Sequence, residues 1–206
     1  MKTPMLALLA LGFVFVSTLR INAQTPATPP AQVEVNAVKF SFARIGSDSW
    51  LESDIRLDVK PGGKLVSGEF VDRVKVTLSL GCEAADSKGQ KRLVFYRGHM
   101  ELISLEGGKP GMVRFYLPPE VVKRDNLRAD VKFYVVELEA NGEPQKPVKA
   151  SAANDFTTAD SLKNFLNKVS SESGANEGIL MPQYLTPFAA DSQRPSATPL
   201  RRELQR

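Results

Sequence analysis

The sequence predicts a mainly β fold: an immunoglobulin-like antiparallel β-sandwich of seven or eight strands with one C-terminal amphipathic helix. Three observations predict it. Apolar and polar residues alternate along the middle of the chain, clusters of Gly, Pro, Asn and Asp separate the alternating runs, and one helical apolar stripe follows them. Such alternation places one face of each strand on a core and the other in water, as in antiparallel sheets. We expect the sandwich domain at 33–150.

The strands follow from the alternating runs in chain order. We predict them at 33–45, 50–60, 64–71, 73–82, 91–105, 112–117 and 130–140, with an optional eighth at 144–150. The clearest run is 51–60, where one face carries four apolar residues and every residue of the other face is charged; the apolar residues are Leu51, Ile55, Leu57 and Val59. Asn141 and Gly142 form a strong two-residue hairpin signal. The apolar residues change parity around Gly98, which predicts a β-bulge there.

One helix is predicted within 151–173. Its apolar stripe has helical spacing and consists of Leu162, Phe165, Leu166 and Val169. Thr157 and Asp160 have the spacing of a capping box. Because an isolated helix of about 12 residues is marginal in water, docking of the stripe must stabilise it. We expect the helix to lie on its own sheet, with a partner's surface as the alternative.

The two ends of the chain are predicted to lie outside the sandwich. Residues 1–23 have the charged start, apolar core and small final residue of a secretory signal peptide. Residues 24–32 are predicted as a flexible linker, and 174–206 as an extended or disordered Pro-containing tail. The exported protein is therefore expected in the periplasm, at the cell surface or outside the cell, with no stable membrane span after signal cleavage.

The residues available for chemistry argue against catalysis. Lys and Arg number 27 and Asp and Glu 23, a balance that does not favour binding to nucleic acid. His99 is the one imidazole, and it lies in a predicted strand. Cys82 is the one thiol; we expect it to be a small buried residue, although a lone thiol in an exported protein also pairs between chains. We predict no enzyme activity, no metal site and no cofactor.

A short apolar run interrupts the polar tail at 179–188. A run of this kind either lies along its own sandwich or docks on a partner by strand addition or in a groove, and the sequence leaves both open. Trp50 starts the charged face of its strand, where it is either exposed or covered by this tail. The predicted partner-binding residues are Trp50, Tyr184, Leu185 and Phe188.

One block of sequence carries a family resemblance. It spans 114–125 (RFYLPPEVVKRD), and shorter blocks at 50–59, 73–76 and 95–97 accompany it. Together they resemble exported bacterial pilus-like proteins that are encoded with type IV pilus-like assembly clusters. The resemblance covers 35–140. It implies an immunoglobulin-like sandwich, no known catalysis, and a place in or near a pilus-like assembly at the cell envelope.

The predicted function is a non-enzymatic accessory or structural component of a type IV pilus-like assembly that acts through protein–protein contacts. The predicted partners are pilus-like assembly proteins of the cell envelope, and self-association is open. The alternative is a surface carbohydrate- or matrix-binding β-sandwich, which would use exposed aromatic residues: Trp50, Tyr96, Tyr116 and Tyr134. Strand alternation predicts that these four do not share one exposed patch.

Overall fold

The computed structural model describes residues 32–60, 69–85 and 89–200. Strands hold 51% of these residues and helical turns 22%, which confirms the mainly β prediction. The strands are β1 (Gln32–Ile45), β2 (Asp48–Lys60), β3 (Phe70–Ala85), β4 (Lys91–Glu106), β5 (Gly111–Leu117), β6 (Phe133–Ala140), β7 (Glu143–Pro144) and β8 (Met181–Pro182). The α-helices are α1 (Pro119–Arg124) and α2 (Ala159–Glu172).

The strands form two antiparallel sheets of four. The first sheet has the order β1-β2-β5-β8 and the second the order β4-β3-β6-β7. The chain crosses from one sheet to the other after β2, β4, β5 and β7, so that β2 lies beside β5 and β3 beside β6. This Greek-key order is that of an immunoglobulin-like sandwich. The predicted fold class is therefore confirmed.

The core lies between the two sheets. It is built from the apolar residues that alternate with polar ones along the strands. Leu51, Ile55 and Leu57 of β2 are fully buried on its inner face, and Val76 and Leu78 of β3 are fully buried in the same cluster. Full burial of one such side chain contributes about 1.5–3 kcal/mol. The period of two in the sequence therefore accounts for most of the core.

Ser53 interrupts the inner face of β2. It is fully buried, and its hydroxyl has no hydrogen-bond partner among the described residues. Because an unsatisfied buried hydroxyl costs about 1–3 kcal/mol, we expect Ser53→Ala to raise the free energy of unfolding by about 1 kcal/mol in urea. Ser41→Ala, at an exposed position on β1, is the control and should change it by less than about 0.5 kcal/mol. A loss of stability in Ser53→Ala would show that the hydroxyl is satisfied.

Three of the predicted strands differ clearly from the structure. The prediction at 73–82 and the end of the prediction at 64–71 merge into the single strand β3, while 64–68 lies outside the described residues. The optional strand at 144–150 is reduced to β7. One further bond to β6 follows it, from the N–H of Gln145 to the carbonyl of Leu138 at 2.8 Å, but the next residue of that parity is Pro147, which has no N–H to extend the ladder. The hairpin before β7 forms as predicted, with positive φ at both Asn141 and Gly142.

The bulge predicted at Gly98 does not form. β4 keeps a single register against β3 through Gly98, since Phe95 on the opposite parity is buried on the outer face of the sheet and not in the core. The change of parity occurs further along, where Leu102 and Leu105 both reach the core. Arg73 of β3 lies between two residues that pair with β4, is itself absent from the pairing, and has a left-handed backbone, with φ at 50°.

Helix α2 covers the outer face of the second sheet, as its apolar stripe predicts. Phe165 and Val169 are buried against Phe95 and Val135. Gly81 permits this approach, because a Cβ there would lie 2.9 Å from the Phe165 ring. The cap lies one residue later than predicted: the Oγ1 of Thr158, not Thr157, accepts a hydrogen bond from the N–H of Ser161 at 3.1 Å.

The predicted signal peptide at 1–23 and all of the linker except Gln32 lie outside the described residues. In the ranges that the structure does describe, no helix has both the length and the apolar character needed to cross a membrane.

Candidate partner-binding site

The C-terminal segment 177–200, called the strap below, lies along one open side of the sandwich. It was predicted as extended or disordered, but it contains β8 and two 3-10 turns at Gln183–Leu185 and Pro187–Ala190. β8 pairs with Phe115 and Tyr116 of β5. Of the two alternatives for the apolar run, the structure shows packing on the chain's own domain.

The strap also contacts the second sheet. The N–H of Ile103 donates to the carbonyl of Thr198 at 3.0 Å, and the N–H of Leu200 donates to the carbonyl of Glu101 at 2.7 Å. Gly98 allows the strap to come close, because a Cβ there would lie 2.5 Å from the Leu180 carbonyl oxygen. The strap thus joins the edge of the first sheet to the edge of the second.

An aromatic cluster holds the strap on the outer face of the first sheet. Phe188 is 2% exposed and stacks on Tyr116 at 4.6 Å between ring centroids. Trp50 is half-buried and meets the Phe188 ring edge-on at 5.7 Å. Such aromatic pairs contribute about 0.5–1.5 kcal/mol each beyond their buried area. Of the two alternatives for Trp50, the structure shows the contact beneath the tail.

Polar contacts surround this cluster. The Tyr116 hydroxyl donates to Glu52 Oε2 at 2.8 Å, and Arg194 Nε of the strap donates to the same oxygen at 3.0 Å. Burial, followed by the hydrogen bond to Glu52, raises the pKa of Tyr116 above its usual range. The Arg194 guanidinium also lies 5.2 Å from the centre of the Phe188 ring. Glu52, predicted on the solvent face of its strand, is therefore buried because the strap covers it.

Two further side chains keep the strap in place. The Nε2 of Gln183 donates to the carbonyls of Phe188 and Arg194, both at 2.9 Å, which closes the loop around the buried ring. Arg114 of β5 donates to Asp54 at 3.0 Å and to the carbonyl of Pro195 at 2.6 Å. Sequence analysis missed Gln183 and Arg194, because polar residues in a polar tail show no period that would single them out.

A second polar network lies at the end of α1. The Asp125 side chain is 1% exposed; it accepts hydrogen bonds from the Tyr96 hydroxyl at 2.5 Å and from Arg124 at 2.6 Å, and Arg92 lies at 3.3 Å. In the sequence, the basic residues Lys123, Arg124 and Arg128 are interleaved with acidic ones, a pattern that favours a solvated turn. Arg124 instead pairs with a buried carboxylate, because α1 brings that carboxylate against Tyr96 of β4.

This network shifts the titration of Asp125. Burial works to raise the pKa of its carboxyl, but the hydrogen bonds from Arg124 and Tyr96 outweigh burial and hold that pKa below its usual range. A carboxyl group whose pKa is lower in the folded protein than in the unfolded chain stabilises the fold. This stabilisation is fully present at pH values above the unfolded-state pKa of about 3.9, and it is lost as the pH falls through the folded-state pKa.

We therefore expect an acid-dependent loss of stability that Asp125→Asn removes. Below about pH 4, the unmodified protein should lose free energy of unfolding more steeply than Asp125→Asn. Urea denaturation of both proteins at a series of pH values measures the two slopes. Equal slopes would show that Asp125 does not carry this acid dependence.

The structure brings together the blocks of the family resemblance. Tyr116 and Arg114 from the block at 114–125 contact β2, and Arg124 from the same block contacts Tyr96 of the block at 95–97. Each of these polar side chains is paired within the fold. The resemblance therefore rests on residues that hold the sandwich and the strap together.

The four predicted partner-binding residues lie in different environments. Phe188 is buried, Trp50 and Tyr184 are half-buried, and Leu185 is 61% exposed. The strap turn therefore presents Leu185 to solvent and keeps Phe188 beneath it.

The residues considered for carbohydrate binding, catalysis and metal binding do not come together in one site among the described residues. Tyr96 and Tyr116 are fully buried, so the four aromatic residues of the carbohydrate-binding alternative form no shared exposed patch. His99 is exposed on β4. Cys82 is buried, as predicted, and burial together with the nearby Asp125 raises its pKa to about 12. No cluster of three or more His, Cys, Asp or Glu suited to a metal ion occurs among the described residues.

The fold and the strap define an immunoglobulin-like β-sandwich whose C-terminal segment closes one side. The chain belongs to a family whose model matches residues 14–191, a family of proteins similar to a pilus-associated protein of Akkermansia. A crystal structure of a protein from Akkermansia muciniphila has a similar fold, with a TM-score of 0.56 and 17% sequence identity. That match covers 87% of this chain and 100% of the other. No curated protein matches the sequence.

Proposed function

We propose that this protein is an exported, non-enzymatic structural or accessory component of a type IV pilus-like assembly. It acts through protein–protein contacts at the cell envelope, in the periplasm or at the cell surface. The observation that carries the proposal is membership of a family similar to a pilus-associated protein, over residues 14–191. The partners are pilus-like assembly proteins, and a second copy of the chain is an outcome that the experiment below distinguishes.

The arrangement of the site supports a scaffold. The charged side chains around the strap are tied into pairs that hold strands together: Arg114 with Asp54, and Arg194 with Glu52. Trp50 and Phe188 support the strap turn from beneath, and Leu185 projects from it. We assign the partner contact to Leu185, with Tyr184 beside it.

Capture from envelope extracts tests the proposal. The tagged exported protein should recover pilus-like assembly proteins, identified by mass spectrometry. Leu185→Asp should reduce that recovery at least about tenfold, since an interface loses this much when about 1.4 kcal/mol is removed. Phe70→Asp is the matched control, because Phe70 is 56% exposed on the second sheet.

Three results would contradict the proposal or part of it. Recovery of bulk envelope protein alone by the unmodified chain would overturn the function. Equal recovery by Leu185→Asp and the unmodified chain would overturn the assignment of the contact. Recovery of only the protein itself would replace the assembly partner with self-association.

A further inference from the structure

The second half of β1 is an edge strand that is open to solvent. β1 lies at the end of the first sheet, with β2 as its one neighbour in that sheet. Five of the seven side chains at 39–45 are exposed, among them Phe42 at 41% and Ile45 at 42%. These two apolar side chains lie on opposite faces of the strand. An exposed edge that carries apolar residues is a site where a further strand can pair.

The direction of the backbone groups on this edge follows from a bond at the start of β1. The N–H of Val33 donates to the Gln145 side chain at 3.1 Å, so it points away from β2. The register then shifts by one residue at a bulge around Asn36, and even-numbered residues after it take the direction that odd-numbered residues have before it. The N–H and C=O groups of Phe40 and Phe42 therefore point away from β2, toward the side of the strand that a further strand would occupy.

The exposed edge is positively charged. It carries Lys39 and Arg44, and 38–45 contains no acidic residue. The carboxylate opposite Lys39, that of Asp54, pairs with Arg114 at 3.0 Å and is thus engaged on the other side of β2. A second copy paired through this edge would bring the same cations of both chains to one seam, which is unfavourable. The charge of the edge therefore favours a partner that supplies carboxylates.

We propose that this edge binds an extended acidic segment of a partner protein, which adds to β1 as a further antiparallel strand. The segment has apolar residues opposite Phe40 and Phe42 and acidic residues opposite Lys39 and Arg44, because directly opposite side chains interact across an antiparallel pair. Backbone hydrogen bonds give such an addition its affinity, and alternate side chains give it specificity. This inference does not depend on the proposed function, and its residues are separate from the contact assigned to Leu185.

Two peptides that differ only in charge test the chemistry of the partner. In the antiparallel orientation, the capped peptide ETVTVE places its glutamates opposite Arg44 and Lys39 and its valines opposite Phe42 and Phe40. By fluorescence anisotropy, labelled ETVTVE should bind the exported protein at least about tenfold more tightly than KTVTVK, because like charges directly opposite each other are unfavourable. Arg44→Glu should weaken the binding of ETVTVE about fivefold and strengthen that of KTVTVE by a similar factor. Equal binding of ETVTVE and KTVTVK to the unmodified protein, or no binding of ETVTVE up to about 1 mM, would overturn the proposal.

Amide hydrogen exchange shows whether the peptide binds as a strand on this edge. Saturating ETVTVE should slow exchange at the Phe40 and Phe42 amides at least about tenfold, because their N–H groups gain acceptors. The Ser41 and Ala43 amides, which face β2, are the controls and should be unchanged. Unchanged exchange at Phe40 and Phe42 would contradict strand addition. Protection of these two amides without peptide would also overturn the proposal: a second copy would protect them more as the protein concentration rises, and a segment of the same chain would protect them at every concentration.

Discussion

Asp125→Ala is expected to lower the free energy of unfolding by about 3 kcal/mol. The carboxylate is 1% exposed and accepts hydrogen bonds from Tyr96 and Arg124. Its removal leaves the buried Tyr96 hydroxyl without its acceptor, which alone costs about 1–3 kcal/mol. Arg124 and Arg92 reach solvent, so their loss adds less than a fully buried ion pair would. Urea denaturation followed by circular dichroism measures the change.

Two variants separate the network from a general effect of removing an acid. Asp130→Ala removes an exposed carboxylate on the same loop and should change the free energy of unfolding by less than about 0.5 kcal/mol. Tyr96→Phe removes the hydroxyl that donates to Asp125 and accepts a long contact from Arg124, and it should cost about 1–2 kcal/mol. A loss below about 1 kcal/mol in Asp125→Ala would show that the network does not stabilise the fold.

Phe188→Ala is expected to lower the free energy of unfolding by about 3–5 kcal/mol, the usual cost of truncating a buried Phe. The ring is 2% exposed and lies between Tyr116, Trp50 and the Arg194 guanidinium. Its loss opens a cavity beneath the strap turn and removes the aromatic stack. Because the strap closes one side of the sandwich, limited proteolysis should also cut the variant within 183–194 before the unmodified protein.

Leu185→Ala is the matched control for Phe188→Ala. It truncates a large apolar side chain three residues away, but one that is 61% exposed, so we expect a change within about 0.5 kcal/mol. If both variants lost the same free energy, the aromatic cluster would not hold the strap. If Phe188→Ala lost stability without earlier cleavage, the strap would be held chiefly by its hydrogen bonds to β4 and β5.

Much of the sandwich was predictable because its strands have one inner face. The alternation in β2 identifies Leu51, Ile55 and Leu57 as core residues, and all three are fully buried. The error at Gly98 has a physical origin in the second sheet. Both faces of β4 are covered, by the core and by α2, so a residue such as Phe95 breaks the alternation without any shift in register.

The candidate site was predictable only in part. The apolar run that contains Leu185 and Phe188 indicated a segment that packs on something, and the structure shows the chain's own first sheet beneath it. Which residues face inward did not follow from composition, because the 3-10 turns of the strap have no sustained period. Phe188 is consequently buried and Leu185 exposed, although both are large and apolar.

The sequence by itself determined the positions of most of the main strands, the turn at Asn141 and Gly142, and the apolar stripe of α2. Each of these depends on residues a few positions apart, whose spacing follows the geometry of one strand, turn or helix. Only the tertiary structure decided where the strap lies and that Arg194 meets Glu52, a contact between residues 142 positions apart. No local period encodes such a pair, because it forms only after the sandwich has brought the two segments together.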